Sequence, residues 1–178
     1  MKYGIFSKVV ISLCSGGHTL NDFRHVPRKR FGQHWLKDQR ILDQIVKSAN
    51  LSFDDCVLEV GPGKGALTEK LIESQARFIQ AIELDRDLVV GLKKRFSHQN
   101  KFSLREGDVL SAPLEAENGL IINKVVANIP YNITGPLLKR LIGELRKAPE
   151  NSFETLVLLM QKEVAQRILA LPGNTNFS

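Results

Sequence analysis

Val57-Leu58-Glu59-Val60-Gly61-Pro62-Gly63-Lys64-Gly65-Ala66 is the stretch on which the reading of this chain turns. A short apolar, β-branched run (Val57 to Val60) enters three glycines spaced two apart, and Leu67, Leu71 and Ile72 then fall at helical spacing. The pattern is strand, tight turn, helix. Glycines there let backbone N–H groups approach a ligand that a Cβ would hold off, and the helix N-terminus adds partial positive charge. Gly61-x-Gly63-x-x-Ala66 also satisfies the loose dinucleotide fingerprint, so the turn alone does not select the ligand.

Further along, the same alternation repeats. Phe78 to Ile82 reads as a second strand ending at Glu83-Leu84-Asp85, and Asp87 to Phe96 as a helix with Leu88, Val89, Leu92 and Phe96 inward. Phe102 to Leu104 reads as a short third strand before Glu106-Gly107-Asp108, and Lys124 to Ile129 as a fourth that runs into Pro130-Tyr131. Pro136 to Lys147 has helical spacing. Thr155 to Met160 is a continuous apolar run, as a strand buried on both faces requires. A last helix is predicted over Lys162 to Ala170. Strands alternating with helices imply a parallel α/β sheet.

In such a sheet ligands bind at the carboxyl ends of the strands. The first four ends offer Gly61, Glu83, Asp108 and Asn128. A carboxylate after the second strand is placed to accept both hydroxyls of a ribose, and one after the third to accept from an adenine amine. Asp85 and Asp87 read as solvated loop residues. Asn128-Ile129-Pro130-Tyr131 combines an amide oxygen, backbone carbonyls and an aromatic ring, which suits holding and stacking a base amine for attack on a methyl carbon.

The chain has 178 residues, 43% of them hydrophobic, which suits one globular domain. Its net charge is +6, and the window Arg24 to Lys47 holds seven basic residues against Asp38 and Asp43. A basic patch beside a balanced domain points to a polyanionic partner; a solvated basic face is the plainer alternative. Cys14 and Cys56 make no disulfide framework, the four histidines are scattered, and no apolar run approaches the ~18 residues of a membrane span. We therefore expect no metal, no membrane, and a reducing cytoplasmic compartment. Residues 1–26 read as a variable or disordered leader, and 27–178 as the catalytic domain. Within the basic window, Asp38 looks like an N-cap to a helix carrying Ile41, Leu42, Ile45, Val46 and Ala49. Phe31 and Trp35 suit packing of that helix as well as they suit stacking on bases.

Arg30-Phe31-Gly32-Gln33-His34, Glu59 to Gly65, Glu83-Leu84-Asp85, Asp108, Asn128 to Tyr131 and Gln161-Lys162-Glu163-Val164 together resemble the ribosomal RNA adenine N6,N6-dimethyltransferases, of the small-subunit type. The resemblance runs from about Arg28 to Gly173. It implies a Rossmann-like, class I methyltransferase fold, S-adenosylmethionine as cofactor, and two adjacent adenosines near the 3′ end of small-subunit rRNA, within a pre-30S-like particle, as substrate. Carried over by motif, His34 and Leu36 border the methionine part of the cofactor, although many relatives have Asn at the position of His34. Gly61 and Gly63 belong to the cofactor turn, Glu83 takes the ribose hydroxyls, and Asp108 reads the adenine amine. Asn128, Pro130 and Tyr131 form the catalytic segment, Asn128 serving the cofactor pocket as well, and Arg28, Lys29 and Arg30 meet RNA. The family pattern continues past Ser178 with two more strands and a helical domain. Without them, Thr155 to Met160 is expected at an open sheet edge, and the complete protein is expected to be a monomer. A non-catalytic RNA-binding or assembly protein and a nicotinamide-dependent oxidoreductase are the competing readings.

Overall fold

The computed structural model describes residues 8–14, 38–143, 153–161, 164, 165 and 168. Six strands form one sheet: β1 (Lys8–Cys14), β2 (Cys56–Val60), β3 (Phe78–Glu83), β4 (Phe102–Glu106), β5 (Lys124–Asn128) and β6 (Thr155–Gln161). Their spatial order is β1-β6-β5-β2-β3-β4, and every pairing is parallel. Helices α1 (Gln39–Ala49), α2 (Ala66–Glu73), α3 (Arg86–Arg95) and α4 (Thr134–Ile142) pack on it.

Strand residues alternate between two cores because successive side chains point to opposite faces. Val57, Ile79, Val126 and Val157 pack beneath Leu42 and Ile45 of α1 and Leu67 and Leu71 of α2. Ala81 and Leu104 continue that face under Val89, Leu92 and Phe96 of α3. Leu58, Ile82, Val125 and Leu156 face the other way, onto Leu137 and Leu141 of α4 and Leu114. The result is a three-layer sandwich in which the central strands are covered on both sides, so their sequences are mainly apolar, with Glu59 in β2 and Gln80 in β3 as buried exceptions.

From β2 the chain steps outward to β3 and β4, then returns to the other side of β2 for β5 and β6. The crevice between the carboxyl ends of β2 and β5 is therefore a topological switch point, the place where open α/β sheets take ligands.

The opposite end of the same two strands is locked. Asp38 caps α1 by accepting from Arg40 N, and Asn50 ends the helix in a left-handed conformation at φ 46°. Lys124 Nζ donates to the last carbonyls of that helix, Ala49 O at 3.0 Å and Asn50 O at 2.8 Å, and pairs with Asp55 Oδ2 at 2.9 Å. Asp55 in turn accepts from Ser52 N, Ser52 Oγ and Asn123 Nδ2. Burial alone would raise the Asp55 carboxyl, but these donors, Lys124 foremost, hold it below the usual carboxylate range.

Three expectations change. Lys8–Cys14, read as part of a disordered leader, forms β1 and pairs residue for residue with Thr155–Gln161. A β-branched run such as Val9-Val10-Ile11 suits strand geometry, and the unpaired edge of β6 supplies its hydrogen-bonding partner. Consequently β6 is not at an open edge. The helix expected over Pro136–Lys147 begins at Thr134 and ends at Gly143, whose φ of 81° no other residue type tolerates well and whose N–H closes on Lys139 O. The helix predicted over Lys162 to Ala170 lies largely outside the described residues.

Candidate active site

Because all strands run parallel, Gly61, Glu83, Asp108 and Asn128 arrive at one edge of the sheet. The turn after β2 is held from both sides: Gly61 N donates to Ile82 O at 3.0 Å, and Gly65 N to Pro62 O at 2.9 Å. Gly61, Gly63 and Gly65 have φ of 65°, 62° and 83°. Their reasons for being glycine differ. A Cβ at Gly61 would meet nothing within 4 Å, so its bare face opens on space at the switch point. A Cβ at Gly65 would sit 2.8 Å from Phe96 Cε2 and 2.9 Å from Leu92 Cδ2, because α3 packs directly on the turn.

Glu83, at the end of β3, is buried and does more than the sequence suggests. Its Oε2 accepts from Gly63 N at 3.0 Å and its Oε1 from Asp85 N at 2.9 Å, so one carboxylate braces the glycine turn against the start of α3. Burial raises its pKa, opposed by these backbone donors. Asp85, expected to be solvated, is buried and N-caps α3 through Asp87 N at 3.0 Å; its Oδ2 has no hydrogen-bond partner among the described residues.

Glu59 stands out. It lies in β2 between Ala81 and Val126, is 1% exposed, and neither carboxyl oxygen has a partner among the described residues. The pKa is pushed up to about 8, chiefly by burial, with the Glu83 charge adding to the rise. Thr68, on the first turn of α2, favours the ionised form, although its Oγ1 makes no hydrogen bond among the described residues. Sequence reading gave Glu59 no role, although an acid inside an apolar strand was a visible signal.

Asp108 is exposed on the turn after β4, its Oδ1 accepting from Leu110 N at 2.9 Å. Its carbonyl closes the turn by accepting from Ser111 N and Ala112 N. Asn128 ends β5, half-buried, and Ile129 N fixes the following backbone on Leu159 O at 2.9 Å. The Pro130 carbonyl accepts from both Ile133 N and Thr134 Oγ1, each at 3.2 Å. Tyr131 opens the short 3-10 helix that leads into α4. His34, Leu36, Arg28, Lys29 and Arg30 lie outside the described residues.

The residues present fit a nucleoside-bearing cation. Glycine without a Cβ opens the crevice, two carboxylates stand at the ends of β3 and β4, and a buried carboxyl lacking any partner lies just beneath. Among the described residues, no group of His, Cys, Asp and Glu could hold a metal ion, and no helix is long and apolar enough to cross a membrane.

Comparison with known proteins gives the same direction. The profile of the family described as ribosomal RNA adenine dimethylase matches residues 24–178. A ribosomal RNA small subunit methyltransferase A of Prochlorococcus marinus (strain NATL1A) is 88% identical over 163 residues, covering 92% of this chain and 56% of its own length. The protein of that name from Synechococcus sp. (strain CC9902) is 66% identical over 154 residues, covering 86% of this chain and 56% of its own. A crystal structure of a dimethyladenosine transferase from Plasmodium falciparum superposes with a TM-score of 0.68 at 35% identity, covering 82% of this chain and 50% of that one. The chain thus spans about half the length of the curated relatives it matches. With the matched profile spanning both the glycine turn and the Asn128 segment, the chain belongs to the ribosomal RNA adenine dimethylase family.

Proposed function

We propose that this chain carries the cofactor-binding and base-presenting part of an enzyme that methylates N6 of two adjacent adenosines near the 3′ end of small-subunit rRNA. The observation that carries the reading is the meeting of Gly61, Glu83, Asp108 and Asn128 around the switch point between β2 and β5. S-adenosylmethionine, when bound, supplies an electrophilic methyl group on a positively charged sulfur.

Glu83 accepts backbone N–H groups from Gly63 and Asp85, one on each oxygen, with the Leu84 N–H also turned to it, and its carboxylate is the acceptor for the ribose hydroxyls. Asp108 uses Oδ1 on Leu110 N, which leaves its other oxygen to accept from the adenine amine. Gly61 allows close approach, Gly63 is held in place for it, and His34 and Leu36 border the methionine side. Glu59, protonated at neutral pH in the free chain, lies where a cationic ligand would favour its ionised form.

On the target side, Asn128 Oδ1 accepts from the base amine. The second acceptor falls to the Ile129 carbonyl, because both acceptor sites of the Pro130 carbonyl are engaged by Ile133 and Thr134. Pro130 then shapes the segment rather than accepting. Holding the amine by two acceptors turns its nitrogen lone pair out of ring conjugation, and Tyr131 stacks on the extruded base. Arg28, Lys29 and Arg30 neutralise rRNA phosphates, with the substrate presented in a pre-30S-like particle in the cytoplasm and the complete protein acting as a monomer.

The test is binding before turnover. Charged hydrogen bonds contribute about 1.5–3 kcal/mol each, so Glu83→Ala should weaken S-adenosylmethionine binding by at least about tenfold in calorimetry. Unchanged affinity in a folded variant, or tight binding of NADH with none of S-adenosylmethionine, would overturn the reading. Transfer of labelled methyl to small-subunit particles then tests the substrate.

A further inference from the structure

The two halves of the candidate site are joined by one side chain that neither half contains. Arg140 lies on α4, the helix launched from the Asn128–Tyr131 segment through the Pro130 carbonyl. Its guanidinium donates to Val109 O through Nη1 and to Ala112 O through Nη2, the latter at 2.7 Å. Those carbonyls bound the turn that Asp108 opens, whose own N–H groups from Ser111 and Ala112 are spent on Asp108 O. Val109 is also buried in one cluster with Leu137 and Leu141, the α4 residues that flank Arg140 in sequence. Apolar packing therefore seats the turn against α4, and the guanidinium fork sets its orientation.

We propose that Arg140 is a positioning residue that aims Asp108 at the adenine ring from the helix carrying the target-base segment. The inference rests on the reading of Asp108 given above. A planar fork with two donors in fixed relation can hold two carbonyls of one turn at a set angle; a lysine ammonium, a point charge on a flexible stem, holds them with less directional constraint. Loss of the fork leaves Asp108 on a turn still closed by its own backbone but free to tilt. The consequence is a loss of selectivity for the exocyclic amine rather than a general loss of binding.

The readout is the affinity ratio between S-adenosylhomocysteine and S-inosylhomocysteine, in which the amine is replaced by an oxo group, measured by calorimetry on the full chain. Folded fraction cancels in that ratio, so a merely structural role does not move it. The original chain should prefer the adenosyl compound by at least tenfold, Asp108→Ala should abolish the preference, and Arg140→Ala should cut it to within about threefold. Arg140→Lys should fall between, and carries the test if the alanine variant does not fold. Arg105→Ala is the control: it removes a guanidinium from Pro113 O and Glu115 O of the same loop and should keep the ratio intact. If the original chain shows no preference, the Asp108 reading fails and this inference with it. If Asp108→Ala loses the preference while Arg140→Ala and Arg140→Lys retain it, this inference alone is overturned.

Discussion

Replacing Glu59 by Gln should make the chain more stable in alkali and a weaker binder of a cation. Glu59 is fully enclosed, without a hydrogen-bond partner, and its pKa rises from 4.5 to about 8. Because the folded value is raised, the folded chain keeps a proton that the unfolded chain has already lost between those two pH values. Stability is therefore intact below about pH 4.5, falls by about 1.4 kcal/mol per pH unit as pH rises, and levels off above pH 8. After allowance for relaxation around the new charge, the accumulated loss at pH 8 is about 2–4 kcal/mol. Gln has nearly the same shape and does not titrate, so the two proteins should melt together near pH 5 and diverge by roughly 5–15 °C at pH 8. Glu83 is also raised and contributes a slope of the same sign to both, which is why the difference between the two curves is the quantity to read. Thermal melts from pH 5 to 8.5 with and without S-adenosylmethionine measure it. The ligand should stabilise the original chain increasingly as pH rises and the variant by less. Parallel curves for the two proteins would refute the reasoning.

At the opposite end of β2, Asp55→Ala should cost about 3 kcal/mol, since it leaves the Lys124 ammonium buried without its counter-charge. The Asp55 pKa is depressed, so its contribution is present at neutral pH and lost as pH falls through the folded value; urea denaturation at pH 7 and pH 3 should show the variant losing less of its stability in acid than the original chain. The glycine turn should separate two effects: Gly65→Ala should destabilise by about 2–4 kcal/mol, combining a left-handed backbone with the clash on Phe96 and Leu92. Gly61→Ala, with open space around its Cβ, should cost about 1 kcal/mol yet weaken S-adenosylmethionine binding more than tenfold, a pairing that denaturation and calorimetry on the same two variants would expose.

The five strands from Val57 to Met160 were legible because parallel strands covered on both faces are mainly apolar, most fully in Thr155 to Met160, and because each is followed by a turn or helix signal; β4, partly exposed at the sheet edge, was the shortest of these readings. Their order was not legible, since many orders satisfy parallel crossovers, but parallel direction alone brings their carboxyl ends to one edge, and so the strand-end residues were legible as a group. Lys8–Cys14 was not. Taken alone it resembles a short apolar leader broken by Lys8, and only the distant edge of β6 makes it a strand. Asp85 was misread for a related reason: a carboxylate before a helix looks solvated until packing of α3 buries the cap. Arg140 carries no signal at all, since its partners are carbonyls 28 and 31 residues away.

The two ends of β2 and β5 differ in how completely their polar groups are satisfied, and that difference supports the proposal that the carboxyl ends are the working end. At the start of these strands Lys124 has three acceptors and Asp55 three donors besides Lys124, all within one buried network. Toward the other end, Glu59 in β2, Thr68 on α2 and Asp85 at the start of α3 hold buried oxygens with no partner among the described residues. Native proteins pair buried polar groups almost without exception, because each orphan costs about 1–3 kcal/mol. Satisfying the Glu59 site with an apolar residue was open to this sequence, as its neighbours Val57 and Val126 show. Three such residues around a glycine turn, about 13 Å at ~3.3 Å per strand residue from a network in which Asp55 and Lys124 are fully paired, are an arrangement that the proposed cationic ligand at this end would suit.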